Sequence, residues 1–258
     1  LIVAVLYWRY TQDTPEGNFK DLRAAGVQIE TGKAGGIAVL KQAMANYRVW
    51  MLAIAYGACF GVEIFIHAVA ASYYVDRFGL TLTSAGMAAG SFGLLALFAR
   101  ALGGIASDRI AGRFGLEGRT WLLFGLMVGE GVGLLAFATM GTVTLAVIAM
   151  LVFGLFTHMA CGSTYALVPF IDRKSLGGVA GVIGAGGNVG AVGAGFLVKA
   201  TGNLPDALYI LGWVVLGAAC CAAAVRFSVK HKQTEKALYD AAMAQRRATQ
   251  PATALVTA

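Results

Sequence analysis

One arginine, Arg100, stands inside an apolar run, Gly93-Leu-Leu-Ala-Leu-Phe-Ala-Arg100-Ala-Leu-Gly-Gly104. Arginine cannot shed its proton, and its planar fork pairs with two oxygens of an anion at once. A charge at that depth faces the protein interior and marks a ligand site by default. The competing reading is a side chain that snorkels to the headgroups. A second polar group, Asn188, lies in Gly184-Ala-Gly-Gly-Asn-Val-Gly190, which continues as Ala191-Val-Gly-Ala-Gly195. Small residues let backbones touch in hydrocarbon, and packing accounts for most of these glycines. It accounts less well for an amide, which needs partners at that depth. Arg100 is about seven residues and Asn188 about ten from the same edge, within roughly 5 Å of helical rise. The spacing predicts one anion held between Arg100, the Asn188 amide and the backbone at Gly184, Gly187 and Gly190, where a ligand can approach closely.

Tyr56, Phe60, Glu63 and His67 recur at helical spacing, so they share one face. Glu63 and His67 are one turn apart. Such buried pairs mark proton relays; a structural pair, or Glu63 neutralising Arg100, fits the spacing equally well. Tyr56 joins the expected anion site. Glu130 reads as a structural hydrogen-bonding carboxylate, His158 as a satisfied core histidine, and Lys199 as a snorkelling side chain. The segment Gly103-Gly-Ile-Ala-Ser-Asp-Arg-Ile-Ala-Gly-Arg-Phe-Gly115 ends one apolar stretch. Gly104, Asp108, Arg109 and Arg113 there suit a latch at a helix end, against simple anchoring by positive charge. The four cysteines (Cys59, Cys161, Cys220 and Cys221) lack metal-ligand spacing, and neither a disulfide framework nor a metal site is expected. No nucleophile–base pair appears, so an enzyme is not expected.

The elements that position these groups follow from composition. Hydrophobic residues make up 58% of the 258 and charged ones 13%, against roughly 25% charged in soluble domains; mean hydropathy is +0.71. The chain is read as an all-α, polytopic membrane protein. Six spans are expected near 50–74, 83–106, 120–139, 142–169, 179–201 and 204–227. Residues 1–8 are too short to cross and read as the end of a truncated preceding span. Residues 9–49 read as a polar loop with a surface helix near 37–47. The tail 228–258 is basic, then low in complexity, and is expected to lack structure. Lysines and arginines of the first loop, of 107–119, of 173–174 and of the tail fall on one side of this scheme, and only Arg77 on the other. That asymmetry assigns loops 9–49 and 107–119 and the tail to the cytoplasm. Six spans after a long loop suggest two inverted triplets, 50–139 and 142–227, forming half of a transporter.

Together these residues resemble the major facilitator superfamily. Gly103 to Arg113 resembles its cytoplasmic signature loop. Gly184-Ala-Gly-Gly-Asn-Val-Gly190 is similar to the nitrate signature of the nitrate/nitrite porter family, and Phe92 to Asp108 to the span bearing that family's substrate arginine. Phe60-Gly-Val-Glu63, Tyr73-Tyr-Val-Asp-Arg-Phe78 and Thr164-Tyr-Ala-Leu-Val-Pro-Phe170 share its look; Ala191 departs from it, where a further glycine is common. The resemblance implies a twelve-span fold of which 50–227 is the C-terminal six-span half. It implies transport of nitrate or nitrite across the inner or plasma membrane by alternating access, without a cofactor. The partners implied are the anion, the bilayer and the missing N-terminal six-span half, with no nucleic acid. Gly-Val-Glu leans toward the proton-coupled members over the exchangers. The rivals are a superfamily transporter of another small anion or an organic acid, and a membrane sensor or scaffold, for which 228–258 carries no recognisable domain.

Overall fold

The structure, a computed structural model, describes residues 1–14, 17–26 and 36–249. Lys33, the end of the tail from residue 250 and the side chains of Arg246 and Arg247 lie outside the described residues. Residues 1–35 form one unit, with helices α1 (Ile2–Tyr10) and α2 (Phe19–Ala24). The second unit begins at Gly36 with α3 (Gly36–Met44), the surface helix expected near 37–47.

Polar caps start the long helices where apolar runs begin. The Asn46 side chain accepts from the Arg48 amide at the head of α4 (Tyr47–Phe78). Thr81 caps α5 (Leu82–Thr139), Thr142 caps α6 (Val143–Leu167), and Asn203 caps α8 (Leu204–Ala224) through the Asp206 amide. Each such cap satisfies an amide that the helix leaves bare. Gly79 closes α4 at φ 65° and Gly202 closes α7 (Leu176–Thr201) at φ 75°, a conformation that costs glycine nothing.

Among the described residues, five helices are long and apolar enough to cross a membrane, against the six expected. The difference lies in α5, which runs for 58 residues. At 1.5 Å per residue it would reach roughly 87 Å if straight, far beyond a hydrocarbon layer of about 30 Å. Gly115 breaks it, with φ 65° and ψ −155°. Arg119 Nη1 lies 3.0 Å from Ser107 Oγ and 2.7 Å from Asp108 Oδ1. Those groups would stand roughly 18 Å apart on a straight helix, so the chain doubles back at Gly115. The 107–119 segment is therefore helical on both sides of one glycine turn.

Glycines set how closely the helices cross. α5 meets α6 where Gly103 packs on the Met159 backbone and Gly162 on the Arg100 backbone. α4 meets α7 where Gly57 and Gly61 face Gly186 and Gly190. The aromatic core of Tyr73, Tyr74, Phe92, Phe137 and Phe153 fills the space between α4, α5 and α6. Leu97, Phe98, Val189, Phe196 and Trp213 are exposed apolar side chains on the helix surfaces.

The tail differs from expectation: Val229–Thr249 is a helix, α9. Lys232 Nζ pairs with Glu117 at 2.5 Å, Arg173 with Glu235 at 2.5 Å, and His231 Nε2 reaches the Phe170 carbonyl at 3.0 Å. These partners are distant in sequence, so composition alone reads α9 as unstructured.

Asp172 ties α3 to the start of α7. It accepts from Gln42 Nε2 (2.7 Å), the Lys174 amide (2.9 Å) and Ser175 Oγ (2.7 Å). Partial burial works to raise its pKa, but these hydrogen bonds outweigh that and hold it below the ordinary aspartate value. A lowered folded value means stabilisation that is present above the ordinary value and lost as pH falls through the lowered one. Asp172→Ala should cost about 1 kcal/mol. Its melting-temperature deficit in detergent should shrink as pH is taken below 3.8.

Candidate functional site

The α4 stripe forms one wall of the site. Glu63 is buried, and Arg100 from α5 places Nη2 at 2.5 Å from its Oε1. The Arg100 guanidinium lies 5.2 Å above the Phe60 ring, at cation–π distance. Its side chain is 40% exposed, so the fork is reachable, while its Nε is buried without an acceptor among the described residues. Phe60 stacks on Tyr56 at 4.9 Å, and Tyr165 from α6 meets Tyr56 edge-on at 5.1 Å.

The other oxygen of Glu63 faces α6. His158 Nδ1 lies 3.2 Å from Oε2, at ion-pair distance but outside hydrogen-bond angles, and Cys161 Sγ donates to the same oxygen at 3.5 Å. His158 is fully buried, and its Nε2 is 3.1 Å from the Phe92 carbonyl. It is thus a core histidine, as expected, but only half satisfied: Nε2 has the Phe92 carbonyl, while Nδ1 has no hydrogen bond among the described residues. It is also a neighbour of Glu63 that local spacing does not reveal. His67 is about as exposed as Arg100, packs edge-on against Phe92, and has Nε2 at 3.8 Å from Glu63 Oε1, too far for a hydrogen bond.

The glycine run divides by role. A methyl carbon on Gly187 would lie 2.5 Å from Phe60 Cδ1, and one on Gly184 3.3 Å from the Tyr165 hydroxyl. Both glycines therefore line the aromatic wall. Gly190 instead packs on the Gly57 carbonyl, backbone to backbone. Asn188 is exposed, and its amide donates to its own helix at Gly184 O, 3.3 Å away. No hydrogen bond joins Asn188 to Arg100 among the described residues; Phe60 touches both Arg100 and Gly187.

Within the expected latch, Asp108 pairs with Arg119, a residue that sequence reading counted only as a loop charge. Arg119 is buried, bonded to Ser107 and set 4.9 Å over the Phe170 ring. Arg109 and Arg113 are exposed, and no atom comes within 4 Å of a methyl placed on Gly104. Glu130 departs from its expected role: it is fully buried, and neither oxygen has a hydrogen-bond partner among the described residues. A cavity of about 710 Å³ lies between α4, α7 and α8, along the Gly57–Gly190 contact; neither Arg100 nor Glu63 lines it. Trp50, Ile54, Val189, Val214 and other apolar residues line it, which suits acyl chains rather than an ion.

A bundle of long apolar helices with charges paired inside it defines a multi-pass, all-α membrane protein. The sequence profile of the Major Facilitator Superfamily matches residues 1–195, and the chain belongs to that superfamily. It is 45% identical over 177 residues to the high affinity nitrate transporter 2.5 of Arabidopsis thaliana, covering 69% of this chain and 35% of that protein. It is 39% identical over 191 residues to the nitrate transporter 2.2 of Chlamydomonas reinhardtii, covering 72% and 36%. It is 35% identical over 141 residues to the nitrate/nitrite transporter NrtP of a Picosynechococcus strain, covering 54% and 25%. The chain thus spans about a third of the length of these relatives or less. The crystal structure of the Escherichia coli fucose:proton symporter FucP shares the fold, with a TM-score of 0.60 at 16% identity over 78% of this chain and 48% of that one.

Proposed function

We propose that this chain is the C-terminal half of a secondary transporter for nitrate or nitrite, working by alternating access. The observation that carries the reading is Arg100: a half-exposed guanidinium deep in an apolar helix, braced on Phe60 and Glu63 beside the Gly184–Gly187 wall. A planar fork suits a planar oxyanion, and relatives named for nitrate or nitrite support that substrate. Asn188 contributes its amide once freed from its own helix, and Tyr56 closes the wall. Gly190 serves the same surface by holding α7 against α4.

In this reading the two arms of α5 on either side of Gly115 are separate spans. That makes six spans in two inverted triplets, with the lysine- and arginine-rich end in the cytoplasm. An N-terminal half supplies the facing wall. Asp108 and Arg119, with Ser107, form the latch of Gly104 to Arg113 at the cytoplasmic end. Glu63, with His67 one turn away, offers the titratable group for proton symport over nitrate/nitrite exchange.

The test is uptake of labelled nitrate and nitrite by the complete transporter, wild type and Arg100→Lys. Lysine keeps the charge and loses the fork. Uptake should fall at least about tenfold, the factor that 1.4 kcal/mol represents, with normal membrane insertion. Normal uptake by Arg100→Lys would make Arg100 a structural residue. A wild type that moves another small anion or an organic acid, but neither nitrate nor nitrite, would leave the fold and replace the substrate.

A further inference from the structure

We propose that the coupling proton is held between Glu63 Oε2 and His158 Nδ1, and that its arrival releases Arg100 from Glu63 to take the anion. This rests on the anion reading of Arg100 above and adds His158 as the partner of the proton.

The first argument is the tautomer of His158. A carbonyl oxygen only accepts, so the nitrogen 3.1 Å from Phe92 O carries a hydrogen. That leaves Nδ1 facing Glu63 Oε2 at 3.2 Å. Without a further proton, a nitrogen lone pair meets a carboxylate in a fully buried pocket. One proton between them, on nitrogen or on oxygen, turns repulsion into attraction, and rotation of the Glu63 carboxyl group would then bring the pair within hydrogen-bond angles. Fully buried pairs of this kind are strong when satisfied and costly when not.

The second argument is charge. Arg100 and Glu63 cancel while Nη2 holds Oε1. A monovalent anion added to that pair leaves the groups of this chain with one net negative charge in an apolar interior, which is costly. One proton restores neutrality. The step balances simply. A proton from water enters between Oε2 and Nδ1. As the anion arrives, the proton settles on Oε2 as a carboxylic acid donating to Nδ1. The N–H of Nη2 leaves Oε1 and turns to an anion oxygen. Anion and proton thus favour one another's binding, as linkage requires.

The other groups around the pair do not substitute for it. On α4, His67 is 3.8 Å from the oxygen that Arg100 already holds, so a proton there would balance the charge but would leave Glu63 ionised and Arg100 bound to it. The buried Cys59 thiol on the same helix donates to the Tyr56 carbonyl. On α6, Cys161 donates to Oε2 as a weak second donor. On α5, Glu130 is the remaining buried carboxylate and has no hydrogen bond to the pair.

The experiment is nitrate binding to the reconstituted complete transporter across a pH series, with a pH indicator reading proton uptake. In the wild type the nitrate Kd should weaken about tenfold per pH unit on the alkaline side, the slope for one proton bound with each anion. His158→Gln should flatten that slope to less than about twofold per unit and abolish proton uptake on binding. Glu63→Gln, a permanently neutral side chain, should bind nitrate with no pH dependence and take up no proton; a slope kept in Glu63→Gln would overturn the proposal even if His158→Gln fails to fold. A purely structural His158 would change affinity at all pH values alike and keep the slope. A slope kept in His158→Gln, or lost only in His67→Gln, would overturn the proposal. Wild-type binding of nitrate with no pH slope would overturn it while leaving the anion reading intact. Binding of neither nitrate nor nitrite would overturn both.

Discussion

Gly162→Val is expected to leave little folded protein and, on the function proposed above, to abolish nitrate uptake by the complete transporter. Gly162 sits in α6 where it crosses α5, and its α-carbon faces the backbone of Arg100. A methyl carbon there would stand 2.9 Å from the Arg100 carbonyl carbon and closer still to its oxygen. Backbone atoms cannot rotate out of the way, so the helices must part. Overpacking in cores costs about 1–3 kcal/mol when side chains can yield; here the yielding partner is a main chain, and the cost should exceed that range. The same displacement moves Arg100 relative to Glu63 and Phe60, so surviving protein should lose anion binding. Gly104→Ala is the control, because nothing lies within 4 Å of an added methyl. It should melt at or above the wild-type temperature, since alanine favours helix by roughly 1 kcal/mol over glycine. Size-exclusion profiles and melting curves in detergent, with nitrate uptake, check both. A well-folded, active Gly162→Val would mean that the α5–α6 crossing is looser than its geometry implies.

That contrast shows where sequence reading succeeds and where it stops. Arg100 is legible because a charge in an apolar run has few explanations. The Tyr56–Phe60–Glu63–His67 face is legible because helical spacing is local. The structure keeps that face, but it leaves His67 partly exposed and beyond hydrogen-bond reach of Glu63, and it gives Glu63 three partners from other helices, Arg100, His158 and Cys161. His158 is remote from Glu63 in the chain, and no local pattern joins them. Arg119 looks like one more loop charge because its burial depends on the reversal at Gly115. Gly115 is a fair signal of a break, yet a break in a helix and a loop read alike in sequence. The glycine runs announce close packing without saying which glycine packs. Gly103 carries a crossing and its neighbour Gly104 does not, because adjacent residues on a helix point about 100° apart.

Gly190→Val carries the same logic to the other crossing and separates packing from ligand contact. In the sequence, Gly190 looks like part of an anion-binding surface. In the structure it faces Gly57 of α4, and a methyl carbon on Gly61 would in turn stand 2.7 Å from the Gly190 carbonyl carbon. Two helices with side chains at such positions stay about 8–10 Å apart; glycine on both faces allows closer approach. A valine at 190 should therefore drive α7 off α4. The Gly184–Gly187 wall would then lose its contact with Phe60, Tyr56 and Tyr165, and Phe60 is what braces Arg100. The expected result is loss of uptake together with a melting temperature lowered by several degrees or no stable protein. Gly193→Ala, three residues on, meets nothing within 4 Å and should leave the fold intact. The two roles separate in nitrate titrations of whatever Gly190→Ala protein can be purified. If Gly190 acts by packing, affinity and melting temperature should fall together. If affinity falls while the melting temperature holds, the Gly190 backbone itself touches the anion, and the division of the glycine run drawn from the α4–α7 contact is wrong.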